Sequence, residues 1–163
     1  MARNVFYSFH YLVDAFRVSQ VRNMGVIEGN QSIRDNDWET VKKGGDAAIQ
    51  KWIDDQLQGR SCAVVLIGKD TYGRKWINYE IQKAWASGKG VVGIHIHNLK
   101  DSGGNQTTKG VNPFSYFNIN GTPFNNIVKA YDPPHWDSKE VYAHIKANIE
   151  HWIEEAIAIR GKY

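Results

Sequence analysis

Residues Val65–Ile81, VLIGKDTYGRKWINYEI, decide the fold. The opening Val-Leu-Ile run, continuing Ala63 and Val64, is unbroken apolar sequence, the pattern of a parallel strand covered on both faces. Gly68-Lys69-Asp70-Thr71 ends it in a polar turn. From about Arg74 the period changes: Ile77, Ile81, Ala84 and Trp85 recur at helical spacing, and Gly88 is placed to stop a helix at Ser87. The next segment, Gly90 to His97, is again a Val- and Ile-rich strand.

The same rhythm extends outward. Asn4 to Phe9 reads as the first strand, a short stretch around Gly25 to Glu28 as the second, and Asn126 to Tyr131 as the last. Val13, Phe16 and Val21 mark the first helix; Ile49, Trp52, Ile53 and Leu57, behind an Asp46 cap, mark the second. Asp137 and Glu140 open the final helix, at about 138–160, whose stripe is Val141, Ile145, Ile149, Trp152, Ile153 and Ala156. Strand–helix alternation implies an α/β fold, a parallel sheet with right-handed crossovers and helices on its faces. Residues 98–126, rich in Gly, Asn and Thr, interrupt the rhythm as a long irregular insertion. Its aromatic island, Phe114, Tyr116 and Phe117, reads as a loop anchor. One domain over 1–163 is expected.

Composition excludes several classes. The 163 residues are 42% hydrophobic and 23% charged, as in a globular chain. The net charge of +3 comes from 20 basic residues interleaved with 17 acidic ones, which gives no basic patch for nucleic acid. The single cysteine, Cys62, lies in an apolar run, so a buried thiol in a reducing, cytoplasmic setting is expected. No apolar stretch is long enough for a membrane span, and the N-terminus has no signal-peptide pattern.

In open α/β sheets ligands bind beyond the carboxyl ends of the strands. There the sequence places Ser8, Phe9, His10 and Tyr11, then Lys69, Asp70, Thr71 and Tyr72, then His95, His97 and Asn98. Trp76 and Glu80, four apart, share a helix face, and an indole beside a carboxylate raises its pKa by desolvation and offers a stacking surface. The plainer reading of Glu80 is a solvated residue paired with Lys75 or Lys83. His95 and His97 point to one strand face, half of a metal site at most; local hydrogen bonds are the simpler reading and no metal is assigned. No Gly-rich fingerprint follows the first strand, which argues against a hydride-transferring Rossmann enzyme.

Five blocks carry a family resemblance: VFYSFHY (Val5–Tyr11), VRN (Val21–Asn23), VLIGKDTYGRKWINYEI, GIHIHNLKD (Gly93–Asp101) and KGVNPFSYF (Lys109–Phe117). Together they resemble the TIR-like protein of the bacterial Thoeris antiphage system. The resemblance implies a three-layer flavodoxin-like, TIR-like fold with a sheet of about five strands in the order 2-1-3-4-5. It implies an NAD-cleaving enzyme, an ADP-ribosyl cyclase or hydrolase with NAD as substrate and no cofactor, which releases nicotinamide and makes a cyclic ADP-ribose signal. A phage component would trigger it and an NAD-consuming effector would receive the signal. The W-x-x-x-E spacing carries the family's catalytic Glu onto Glu80.

The residue chemistry fits that expectation. Cleaving the ribose–nicotinamide bond develops oxocarbenium character that a carboxylate stabilises. Phe9, Trp76 and Trp38 are the stacking candidates, Ser8 lies beside them, and His10, Lys69 and Arg17 are placed to meet the pyrophosphate. The alternative is a non-enzymatic TIR-like module that binds a nucleotide, self-associates or docks a TIR-like partner through the 98–126 loop and the third helix.

Overall fold

Alternation along three central strands explains why the sheet reads as unbroken apolar sequence. In the strand Cys62–Ile67 (β3), Cys62, Val64 and Leu66 enter one core, while Ala63, Val65 and Ile67 enter the core on the opposite face. In Asn4–Ser8 (β1), Val5 and Tyr7 face the first core and Phe6 the second; in Gly90–His95 (β4), Val92 and Ile94 face the first and Val91 the second. Each fully buried Val, Leu or Ile contributes about 1.5–3 kcal/mol relative to exposure.

The computed structural model describes residues 3–26, 28–29 and 43–163. Glu28–Gly29 (β2) pairs with β1, and Ala130–Tyr131 (β7) pairs with β4. The sheet runs β2-β1-β3-β4-β7, all parallel, which is the order 2-1-3-4-5 of a flavodoxin-type fold. Helices Tyr11–Arg22 (α1) and Ser138–Arg160 (α4) cover the first core; Gly45–Leu57 (α2) and Lys75–Ala86 (α3) cover the second. Within the insertion, Asn118–Ile119 (β5) and Thr122–Pro123 (β6) form a hairpin. Its turn, Asn120-Gly121, has positive φ at both residues, as a tight two-residue connection requires. Phe114 and Phe117 anchor the insertion by packing against Phe124 in the second core. No described helix is long and apolar enough to cross a membrane.

Helix ends follow local chemistry. At the end of α3, Gly88 N–H donates to Trp85 O and Lys89 N–H to Ala84 O, both at 3.0 Å, with Gly88 at φ 80°. Asp137 caps α4 by accepting from Lys139 N–H at 2.8 Å, and all six expected stripe residues of α4 are buried.

Three expectations need correction. α1 turns Asp14, Arg17, Val18 and Val21 inward, leaving Val13 and Phe16 44% and 50% exposed, because a polar pair occupies the buried stripe. Asp46 is not the α2 cap; that position is Gly44, and Asp46 instead binds Lys75 across to α3. The last strand is Ala130–Tyr131 rather than 126–131, since Phe124–Asn126 forms a 3₁₀ turn that drives Phe124, Ile127 and Val128 into the second core.

Candidate functional site

The carboxyl ends of β1 and β3 flank the point where strand order reverses, and at such a point an open α/β sheet forms its ligand crevice between the segments that leave the two strands. After β1 come Phe9 and His10, the latter the N-cap of α1. After β3 comes a tight turn: Gly68 N–H donates to Thr71 Oγ1 at 2.8 Å, and Thr71 is fully buried. Gly68 has to be glycine, because a Cβ there would collide with the Asp14 carboxylate. Gly110 lies equally close on the other side, where a Cβ would strike Gly68 O, so the insertion returns over the end of β3.

Glu80 projects from the second turn of α3. Its Oε2 is buried without a hydrogen-bond partner among the described residues, and so is Ser8 Oγ at the end of β1. Burial pushes the Glu80 carboxyl up to about 8, and nearby Ser8 works against that rise. The solvated ion pair does not form: Lys75 is bonded to Asp46, and no salt bridge to Glu80 occurs among the described residues. A desolvated carboxyl with an open oxygen can donate a hydrogen bond when protonated. When ionised it stabilises a cation.

Trp76 shares the Glu80 face one turn earlier, half-buried, with its ring edge-on to Tyr79 and the Lys75 ammonium 4.9 Å from the ring centroid. Phe9 packs at the edge of the first core, 6.3 Å from Tyr11. Lys69 is exposed on the turn. His10 is nearly buried, its Nδ1 has no partner among the described residues, and burial first, then Arg74, lower its pKa. Ser8, Phe9 and His10 thus lie at the end of β1, Lys69 on the turn after β3, and Trp76 and Glu80 on the helix that follows it, with Phe9 packed against the first core and Trp76 against the second. Trp38 lies outside the described residues.

Arg17 is turned elsewhere. Its Nε donates to Leu99 O at 2.8 Å and Nη2 to Asn105 O at 2.9 Å, and Asp14 Oδ1 stands 3.5 Å from Nη1. The side chain pins the insertion to α1 rather than facing the crevice. Asp14, which the sequence reading passed over, is fully buried; burial raises its carboxyl to about 6 against the pull of Arg17. The signal for both was present in the spacing 14, 17, 18, 21, a helical stripe with an acid and a base in it. His95 and His97 are buried on β4 and its extension, edge-to-face at 5.9 Å. Burial holds both pKa values down, His95 to about 4, and neither Nδ1 has the expected local hydrogen bond among the described residues. No group of three or more metal-ligating side chains occurs among the described residues.

The sequence model of the family described as "Thoeris protein ThsB, TIR-like domain" matches residues 6–101. A protein of Bacillus cereus (strain MSX-D12) named "Putative cyclic ADP-D-ribose synthase ThsB1" is 44% identical over 122 residues, covering 71% of this chain and 63% of that protein. The chain therefore matches less than two thirds of the length of this curated relative. The family match takes in both walls of the crevice, from Ser8 to Glu80. With more than half of its length inside that match and the flavodoxin-type strand order beneath it, the chain belongs to the Thoeris ThsB TIR-like family.

Proposed function

We propose that this protein cleaves NAD at the ribose–nicotinamide bond and closes the ADP-ribose portion into a cyclic signal for an effector in antiphage defence. The observation that carries this reading is Glu80: a carboxyl pushed up to about 8 by burial, with Ser8 nearby and a buried Oε2 that has no hydrogen-bond partner among the described residues. The name of the Bacillus cereus relative, "Putative cyclic ADP-D-ribose synthase ThsB1", supports the same reaction class.

The chemistry follows from charge. NAD carries its positive charge on the nicotinamide ring, and a cation beside Glu80 favours the ionised carboxylate that burial disfavours. As the C–N bond breaks, its electron pair goes to the nicotinamide nitrogen and positive charge develops on the ribose, where Glu80 stabilises it. Cyclisation then requires a nucleophile on the adenosine end to reach that carbon before water does. Phe9 and Trp76 supply ring faces that hold the substrate folded and the site dry.

Nicotinamide release by purified protein, and NAD loss in infected cells expressing it, test the reading against Glu80→Ala. The expected result is a loss of at least about a hundredfold, the scale set by removing one electrostatic stabiliser. Equal turnover by the variant would remove Glu80 from the mechanism, and nucleotide binding without turnover in both settings would reassign the protein as a binding module.

A further inference from the structure

The dinucleotide reading leaves a diphosphate in need of a cation, and Arg17 is committed to the carbonyls of Leu99 and Asn105. Another guanidinium stands at the crevice. Arg74 occupies the N-cap of α3 in extended conformation, exposed, with Nε donating to Asp70 O at 3.1 Å. That bond ties one edge of the guanidinium to the β3–α3 turn. Nη1 and Nη2 make no hydrogen bond among the described residues.

The helix behind Arg74 is built to accept an anion. The twelve-residue α3 has no side-chain cap and no acidic residue in its first turn, so no carboxylate of its own competes for the free N–H groups there. His10 supplies an independent indication of a ligand. It is 8% exposed, its buried Nδ1 has no partner among the described residues, and its pKa responds to the charges of Arg74 and Asp70. His10 enters α1 from the end of β1 and Arg74 enters α3 after the neighbouring β3, so a buried imidazole nitrogen left open and an open guanidinium edge lie at the same edge of the sheet, where one oxygen-rich ligand can serve both.

We propose that Arg74, the open N-terminus of α3 and His10 form the clamp for the diphosphate of the dinucleotide, in the place the sequence assigned to Arg17. The proposal rests on the NAD-cleaving reading for the identity of the ligand. The planar guanidinium binds two phosphate oxygens at once, the helix N-terminus faces negative charge, and the neutral imidazole donates one N–H. Asp70, exposed on the same turn, holds Arg74 through its backbone carbonyl. Anchored in this way, the clamp lies at the start of the helix that carries Trp76 and Glu80, so a bound diphosphate directs the ribose toward Glu80.

Calorimetric titration of the full chain with ADP-ribose and, separately, with adenosine tests the clamp. Arg74→Gln is expected to weaken ADP-ribose binding by about tenfold or more, the loss of a charge-assisted hydrogen bond, and to leave adenosine binding unchanged. Arg74→Lys, which keeps the charge and loses the fork, should fall between. Unchanged ADP-ribose affinity in Arg74→Gln overturns the clamp, as do equal losses for both ligands or no ADP-ribose binding by the unaltered protein. If Glu80-dependent cleavage persists alongside any of these results, the NAD reading stands and the clamp alone falls. Arg74-dependent ADP-ribose binding without any cleavage would sink the enzymatic reading and leave the clamp in place.

Discussion

Replacing Glu80 with Gln should make the protein more stable, and increasingly so as the pH rises. Burial moves this carboxyl from an ordinary 4.5 to about 8. Between those two values the unfolded chain has released the proton while the folded chain keeps it. The folded state therefore binds more protons, and stability falls as the pH rises. The stability is fully present below pH 4.5 and is lost by the time the pH passes about 8. At ~1.4 kcal/mol per pH unit the whole window amounts to ~5 kcal/mol, and to ~3 kcal/mol at neutral pH. Gln has nearly the same shape and does not titrate, so Glu80→Gln removes this slope while the other titrating groups, shared by both proteins, cancel in the difference. Urea unfolding followed by tryptophan fluorescence from pH 5 to 9 measures it. With a slope of ~2 kcal/mol per molar urea, the variant's midpoint at pH 7 should lie ~1.5 M above that of the unaltered protein, and at pH 5 the two should nearly coincide. A stability difference that stays flat across this range, or that grows in favour of Glu80, would refute the desolvated carboxyl.

Arg17→Ala should cost about 3–5 kcal/mol, because it leaves the Asp14 carboxylate and two loop carbonyls without their partner; the urea midpoint reports the loss, and limited proteolysis should cut first between residues 99 and 110. Gly110→Ala forces a Cβ against Gly68 O and should lower stability by about 1–3 kcal/mol, read as a fall in the thermal midpoint together with weaker ADP-ribose binding. Asp137→Ala removes the cap on Lys139 N–H and should cost about 1 kcal/mol, or about 2–4 °C in thermal midpoint, without touching the crevice.

The elements legible in the sequence were those whose burial is apolar. β3 and the stripe of α4 follow hydrophobic periodicity residue by residue, because every inward position is apolar. α1 was misread for the opposite reason. Its inward face carries Asp14 and Arg17, a buried pair, so a rule that equates buried with apolar selected the exposed Val13 and Phe16. The destination of Arg17 was not readable, since its acceptors lie 82 and 88 residues away in a segment without periodicity. The same holds for Lys75, which leaves Glu80 for Asp46, 29 residues off. Arg74 carries a readable signal, a base at the entry of a helix with no acid in its first turn, but position along the chain does not separate it from His10, Arg17 and Lys69 as a phosphate partner.

The family match ends at residue 101, whereas the first core draws Val141, Ile145, Ile149, Trp152, Ile153 and Ala156 from α4. The family match and the first core therefore span different lengths of chain. A fragment stopping near residue 101 would keep α1 on the first core but lose α4, uncovering the part of the β1, β3 and β4 face that Val141, Ile145, Ile149, Trp152, Ile153 and Ala156 pack against. The same exposure occurs on the ribosome. At ~5–20 residues per second, the roughly 65 residues between the end of β4 and the end of α4 take about 3–13 s to synthesise. For that interval α1 alone shields the first core, and the part of the nascent sheet reserved for α4 stays open to water or to any apolar surface nearby.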